Sequence, residues 1–135
     1  MAHNLSKSWS VTLVDAVEQI IANPAEKAPQ KGPAVNSPGS SGLDISRVDR
    51  ITVLCQNNHG SGNVTFNVLV GPGQKNSVTG VRDYFDVSYT VVVGGGDIGI
   101  IDILRYHPHI RIVGTPAGSG NYPVVVYFDG YIRTS

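Results

Sequence analysis

Apolar and polar residues alternate along this chain in short stretches, broken at close intervals by glycine and proline. Trp9, Val11 and Leu13 alternate with Ser8, Ser10 and Thr12, which predicts a half-buried strand. Ile51, Val53 and Cys55 share one face of Arg50 to Gln56, and Val64, Phe66, Val68 and Val70 repeat the pattern after the turn-rich run Asn57 to Asn63. That pair reads as a hairpin or a sandwich corner. Gly71-Pro72-Gly73 ends it, and the polar loop Gln74 to Gly80 leads to a strand region over Tyr84 to Val93, which Gly94-Gly95-Gly96 breaks. Ile98 to Leu104 suits a short strand or a turn of helix. Ile110 to Val113 and Val124 to Phe128 read as a second strand–turn–strand pair around Gly114 to Tyr122, and Asp129-Gly130 marks a turn or bulge before Tyr131-Ile132-Arg133.

Two stretches depart from this rhythm. Asp15 to Ala22 fits either a helix, through Val17, Ile20 and Ile21, or a strand, and it stops at Asn23-Pro24. Pro24 to Gly42 carries Pro24, Pro29, Pro33 and Pro38 among Ala, Lys, Gly and Ser, a composition that predicts an extended arm or long loop with no strand ladder and no core. The expected organisation is one domain: an N-terminal strand and short segment over 1–23, the arm over 24–42, and a β-sandwich body over 43–135. With about seven or eight strands spaced roughly 8–12 residues apart, the fold class is all-β, an antiparallel sandwich or jelly roll carrying a Pro/Gly-rich arm.

Composition agrees and narrows the function. The 135 residues are 41% hydrophobic, with Val and Ile prominent, and include 16 Gly and 8 Pro. Ten basic and ten acidic residues cancel, so no electrostatic footprint points to nucleic acid or to an anionic membrane. Met1 to Leu5 lacks the apolar core of a signal peptide and no apolar run approaches a membrane span, so folding in a cytoplasm is expected. The lone Cys55 has no intrachain partner and sits in an apolar strand pattern, which predicts a buried, inert thiol.

Candidate chemistry is sparse. Gly94-Gly95-Gly96-Asp97-Ile98-Gly99 has the spacing of a dinucleotide fingerprint, but the chain after it offers neither a βαβ unit nor an acid at the ribose position, so it reads as a flexible turn. His107-Pro108-His109 would put two imidazoles on one side of an extended chain, yet zinc needs more ligands and none is near in sequence; these read as edge or interface histidines. Asp83, Asp86, Asp97, Asp102 and Asp129 are scattered, as turn-capping acids are. Arg105 and Arg111 predict a structural ion pair with Asp102 or Asp129. Tyr84, Tyr89, Tyr106, Tyr122, Tyr127 and Tyr131 lie on different segments and read as core or interface residues rather than a sugar platform. No residue is assigned as catalytic, cofactor-binding or metal-binding, and a non-enzymatic protein without a cofactor is expected.

Over residues 48–133 the chain resembles the small β-sandwich virion proteins of tailed bacteriophages, the head decoration or cement proteins. The segments that carry the likeness are Arg50 to Cys55, Gly62 to Val68, Tyr106-His107-Pro108-His109-Ile110-Arg111-Ile112, and Pro123 to Gly130. Carbohydrate-binding β-sandwiches share that ending. The resemblance implies a homo-oligomer, a trimer among the options, that binds major capsid protein or other virion subunits on a capsid or tail. Other tail or neck subunits, and a carbohydrate- or receptor-binding module, are the alternatives.

Overall fold

The computed structural model describes residues 3–21, 30–31, 43–80 and 82–132. Strands β1 (His3–Val14), β5 (Val48–Asn57), β8 (Ile98–Ile103) and β10 (Asn121–Ile132) form sheet A in the order β1-β10-β5-β8. Sheet B contains β2 (Gln19–Ile20), β3 (Gln30–Lys31), β4 (Leu43–Asp44), β6 (Val64–Gly71), β7 (Phe85–Val93) and β9 (His109–Pro116), in the order β3-β2-β9-β6-β7 with β4 also on β9. Every pairing is antiparallel.

The two sheets face each other across the core that the period-2 pattern predicts. Leu13, Val53, Cys55, Ile101, Ile103, Val124, Val126 and Phe128 enter it from sheet A, and Val64, Phe66, Val68, Val93, Ile110 and Ile112 from sheet B. Side chains of this kind contribute roughly 1.5–3 kcal/mol each on full burial, enough together to stabilise a chain without disulfides. Both strand–turn–strand pairs turn out to be corners rather than hairpins. β5 and β6 lie in opposite sheets, as do β9 and β10. A hairpin would have put both members' apolar faces on one side; the corner lets them face each other. Ile98 to Ile103 is a strand, its alternation surviving in the buried Ile101 and Ile103.

The ambiguous Asp15 to Ala22 resolves into a turn followed by β2. Gln19, buried, is the reason: its Nε2 donates to Val14 O (2.8 Å) and Val17 O (3.0 Å), and its Oε1 accepts from Val14 N (3.1 Å). β2 and β4 lie end to end along the same side of β9, opposite Val113-Gly114 and His109-Ile110, so they behave as one strand interrupted by an insertion. That insertion is the Pro-rich stretch. Most of the expected arm over 24–42 lies outside the described residues, but Gln30 and Lys31 correct the expectation that it forms no ladder, since they pair with β2. Neither residue is proline, so both keep the N–H that pairing requires.

Sheet B has a second apolar layer on its outer side. Ile20, Leu69 and Val113 point outward there, and Tyr84 folds over them. Arg111, also buried on that side, holds its guanidinium 3.9 Å from the Tyr84 ring centre. Burial lowers the Arg111 pKa from its ordinary value, while Tyr84 and Glu18 oppose the shift. The expected partners Asp102 and Asp129 are elsewhere, on the outer side of sheet A. The cation instead rests on an aromatic face, which costs less desolvation than an isolated buried charge.

Cys55 is fully buried, and burial pushes its thiol up to about 12. The thiolate needed to attack a disulfide is therefore scarce at neutral pH. A disulfide-exchange reagent should leave native Cys55 unmodified over hours and label it within minutes in guanidinium. Rapid labelling of the native protein would contradict the packing described.

Candidate functional site

β8 is an edge strand of sheet A, and its outward residues break the usual rule of polar side chains on the solvent face. Ile101 and Ile103 point into the core while Ile98 and Ile100 point out, 62% and 58% exposed. The register extends this surface across the sheet. Leu54 lies between Ile100 and Tyr127, and Gln56 between Ile98 and Val125. Tyr127 is 43% exposed, and Leu104, just past the strand, is 84% exposed. No described residue folds over this band as Tyr84 folds over sheet B. An uncovered edge strand bearing large aliphatic side chains is the feature proteins normally avoid or use for association.

Beyond that band the outer face of sheet A turns polar. Thr52 lies between Asp102 and Asp129, with Ser6 on the far side of Asp129. Thr52 Oγ1 donates to Asp102 Oδ1 (3.1 Å), and Ser6 Oγ donates to Asp129 Oδ1 (2.5 Å). The next row contains a β-bulge. Asp129 pairs with Thr52 but Tyr131 pairs with Asp49, so Arg50 and Ile51 oppose Gly130 alone. This shift lets Val48 face inward although Ile51 and Val53 do too, and it places Arg50 on the surface at φ 53°. A cleft of about 290 Å³ opens there, lined by Arg50, Thr52, Asp129, Gly130 and Tyr131.

The fold separates the other candidates that the sequence suggests. His107 Nε2 lies 3.0 Å from the Tyr89 hydroxyl, with the rings edge to face, while His109 begins β9 opposite Asp44. Among the described residues no three His, Cys, Asp or Glu side chains converge to hold a metal. The glycine run is a tight link from β7 to β8, with a strand where a nucleotide fold needs a helix. Its backbone packs against the Asn57–Asn63 turn: Asn57 donates through Nδ2 to Gly62 O (2.8 Å) and Val93 O (2.9 Å), and His59 stacks on Tyr122 with ring centres 3.8 Å apart. The capping role expected of the acids holds for Asp86, which accepts from Ser88 N at 2.9 Å. Tyr84 and Tyr122 are core residues, whereas Tyr127 and Tyr131 share the outer face of β10. That pairing was readable: both are out of phase with Val124, Val126 and Phe128.

Both His107 and His109 titrate below the ordinary 6.5, chiefly because burial disfavours the cation, with Arg105 adding to the effect at His107 and Arg82 at His109; Asp44 opposes it there. The unfolded chain then binds more protons than the folded one just below pH 6.5, so stability is full above that pH and declines as pH falls through it. Thermal melts should give a lower Tm at pH 5.5 than at 7.5, with the difference reduced in H107Q/H109Q. An equal slope in that variant would assign the effect to other groups.

No helix of the described residues is long and apolar enough to cross a membrane. No protein-family model matches the chain, and no curated protein sequence matches it. Among solved structures, the chain is similar to one from Bacillus endospore appendages, described as a novel family of disulfide-linked pili, with TM-score 0.50, 16% identity, and coverage of 99% of this chain and 88% of that one. Weaker likenesses are to PirA (TM-score 0.43, 17% identity, 93% and 92% covered) and to the cyanophage Pam1 capsid asymmetric unit (0.36, 13%, 98% and 86%). The likeness to the endospore appendage chain is one of fold: a two-sheet, antiparallel β protein.

Proposed function

We propose that this protein is a non-enzymatic structural subunit that works by adhering to other protein subunits, and specifically that it decorates and stabilises a tailed-bacteriophage head. The observation that carries the reading is the bare apolar band of Ile98, Ile100, Leu54 and Tyr127 on sheet A. On the outer side of sheet B, Tyr84 covers Ile20, Leu69 and Val113 while Phe85, Val87 and Val92 of edge strand β7 stay exposed; the band on sheet A continues across β8, β5 and β10, and it reads as reserved for a partner. Burying Ile98 and Ile100 against a neighbour contributes on the order of 1 kcal/mol each, given their present exposure. Repeated over many copies, such weak contacts become firm attachment. Partners are then major capsid protein or other virion subunits together with further copies of this chain; the location is the virion surface, after synthesis in the host cytoplasm.

The strand order supports a jelly roll. With β2 and β4 counted as one interrupted strand, each sheet has four main strands, and only the β6–β7 connection stays within a sheet. Jelly rolls recur in viral capsid and lectin domains. The fold likeness to an endospore pilus chain fits a subunit that assembles, although this chain's single cysteine is buried and unsuited to linking subunits. The insertion between β2 and β4 adds β3 to that side of sheet B, and its Pro-rich remainder fits an arm that reaches a neighbouring subunit. A tail or neck position is the alternative on the same chemistry.

The test adds purified protein to empty heads of its source phage. Binding that saturates and raises the temperature of head disruption is expected, with I98K/I100K abolishing both effects. Failure to bind heads, with binding to tails instead, would move the assignment to the tail; failure to bind either would end it.

A further inference from the structure

We propose that the cleft at the bulged end of sheet A is a carbohydrate site, taking a neutral sugar ring with adjacent hydroxyls. Its lining combines the groups such a ring needs. Tyr131, 49% exposed, offers an aromatic face to the apolar C–H side of a sugar. Arg50 brings N–H donors, and Thr52 Oγ1, which already donates to Asp102, keeps its lone pairs for accepting. Asp129 is an acceptor whose rotation is fixed by the Ser6 hydroxyl on Oδ1. Donor, acceptors and one aromatic side chain lining the same cleft match vicinal hydroxyls, which both donate and accept. A volume of about 290 Å³ stands at the lower end of the range that holds small ligands.

The backbone has been shaped to make this cleft. Arg50 occupies the left-handed position of the bulge at φ 53°, where glycine is the ordinary occupant. Strain retained at a ligand-facing side chain is a recurring mark of function. Opposite it, Gly130 lies so close to β5 that a Cβ would come 2.5 Å from Val48 Cγ1. Bulky substitution there would push β10 away and close the geometry. The carboxylates of Asp129 and Asp102 flank the floor, which disfavours phosphate, sulfate or sialic acid despite Arg50. A neutral glycan is the ligand class left. The site stands on different side chains from the apolar band, so it holds or fails independently of the role in assembly.

The full chain, as purified, is applied to an array of glucose-, galactose-, mannose- and N-acetylglucosamine-terminated oligosaccharides together with sialylated and sulfated ones. The strongest neutral ligand is then titrated calorimetrically. Binding to at least one neutral glycan is expected, weakened tenfold or more in R50G and in Y131A. R50G relieves the backbone strain, so its Tm should hold or rise, which separates lost binding from lost folding. I98K/I100K should bind the same glycan as the parent chain. Absence of neutral-glycan binding, binding confined to the anionic glycans, or binding that survives both R50G and Y131A would overturn the proposal.

Discussion

Asn57→Ala should lower folding stability by about 3 kcal/mol, and Tm by roughly 10 °C. Asn57 ends β5 fully buried, and its side chain joins two turns that are distant in sequence. Nδ2 donates to Gly62 O and Val93 O at 2.8 and 2.9 Å, and Oδ1 accepts from His59 N at 3.0 Å. Truncation leaves these backbone groups without that partner, and the Val93 carbonyl is in a place water does not readily reach. An unmet buried group costs about 1–3 kcal/mol, so the effect exceeds that of losing an exposed hydrogen bond. Asn57→Asp should be at least as damaging, because it removes both donations and buries a charge. Guanidinium denaturation measures the change, and a loss under 1 kcal/mol in Asn57→Ala would mean the turns are held by other contacts.

Gly95→Ala should cost about 2 kcal/mol although it adds one methyl group to a surface turn. A Cβ at residue 95 would lie 2.8 Å from His59 O, 2.8 Å from Ser61 N and 2.9 Å from Ser61 Cα. All three are backbone atoms, so no rotamer change relieves the clash and one turn must move. Gly60 is the control: a Cβ there meets nothing within 4 Å, and Gly60→Ala should be close to neutral. Equal stability of the two variants would show that the turns are not in contact.

These two residues also mark where sequence reading stops. Alternation along β5, β6 and β10 exposed the core face directly, because an antiparallel sandwich assigns odd and even positions to opposite sides. It could not say which strands share a sheet. Val64 and Ile110 have the same pattern whether their neighbours turn back as hairpins or cross as corners, so both pairs were open to misreading. Gln19 looked like one polar residue in an uncertain segment because its three backbone contacts depend on a turn at Asp15 that periodicity does not encode. Arg111 invited Asp102 or Asp129 as its partner, whereas Tyr84 supplies an aromatic face and Glu18 a favourable charge, from distances no spacing rule reveals. The cleft was half legible. Asp129 and Tyr131 share a phase on β10, but their meeting with Arg50 depends on the bulge that shifts β5 by one residue.

The function proposed for this protein stands on the apolar band of sheet A being a surface for contact with other subunits. Light scattering over a range of concentrations, for the parent chain and for I98K/I100K, alone and with empty phage heads, measures that contact. The parent chain should exceed the mass of one chain or associate with heads, while the variant keeps its β-rich circular dichroism and stays a lone chain in both settings. A parent chain that remains single at every concentration and ignores the heads, or a variant that assembles as the parent does, would contradict it.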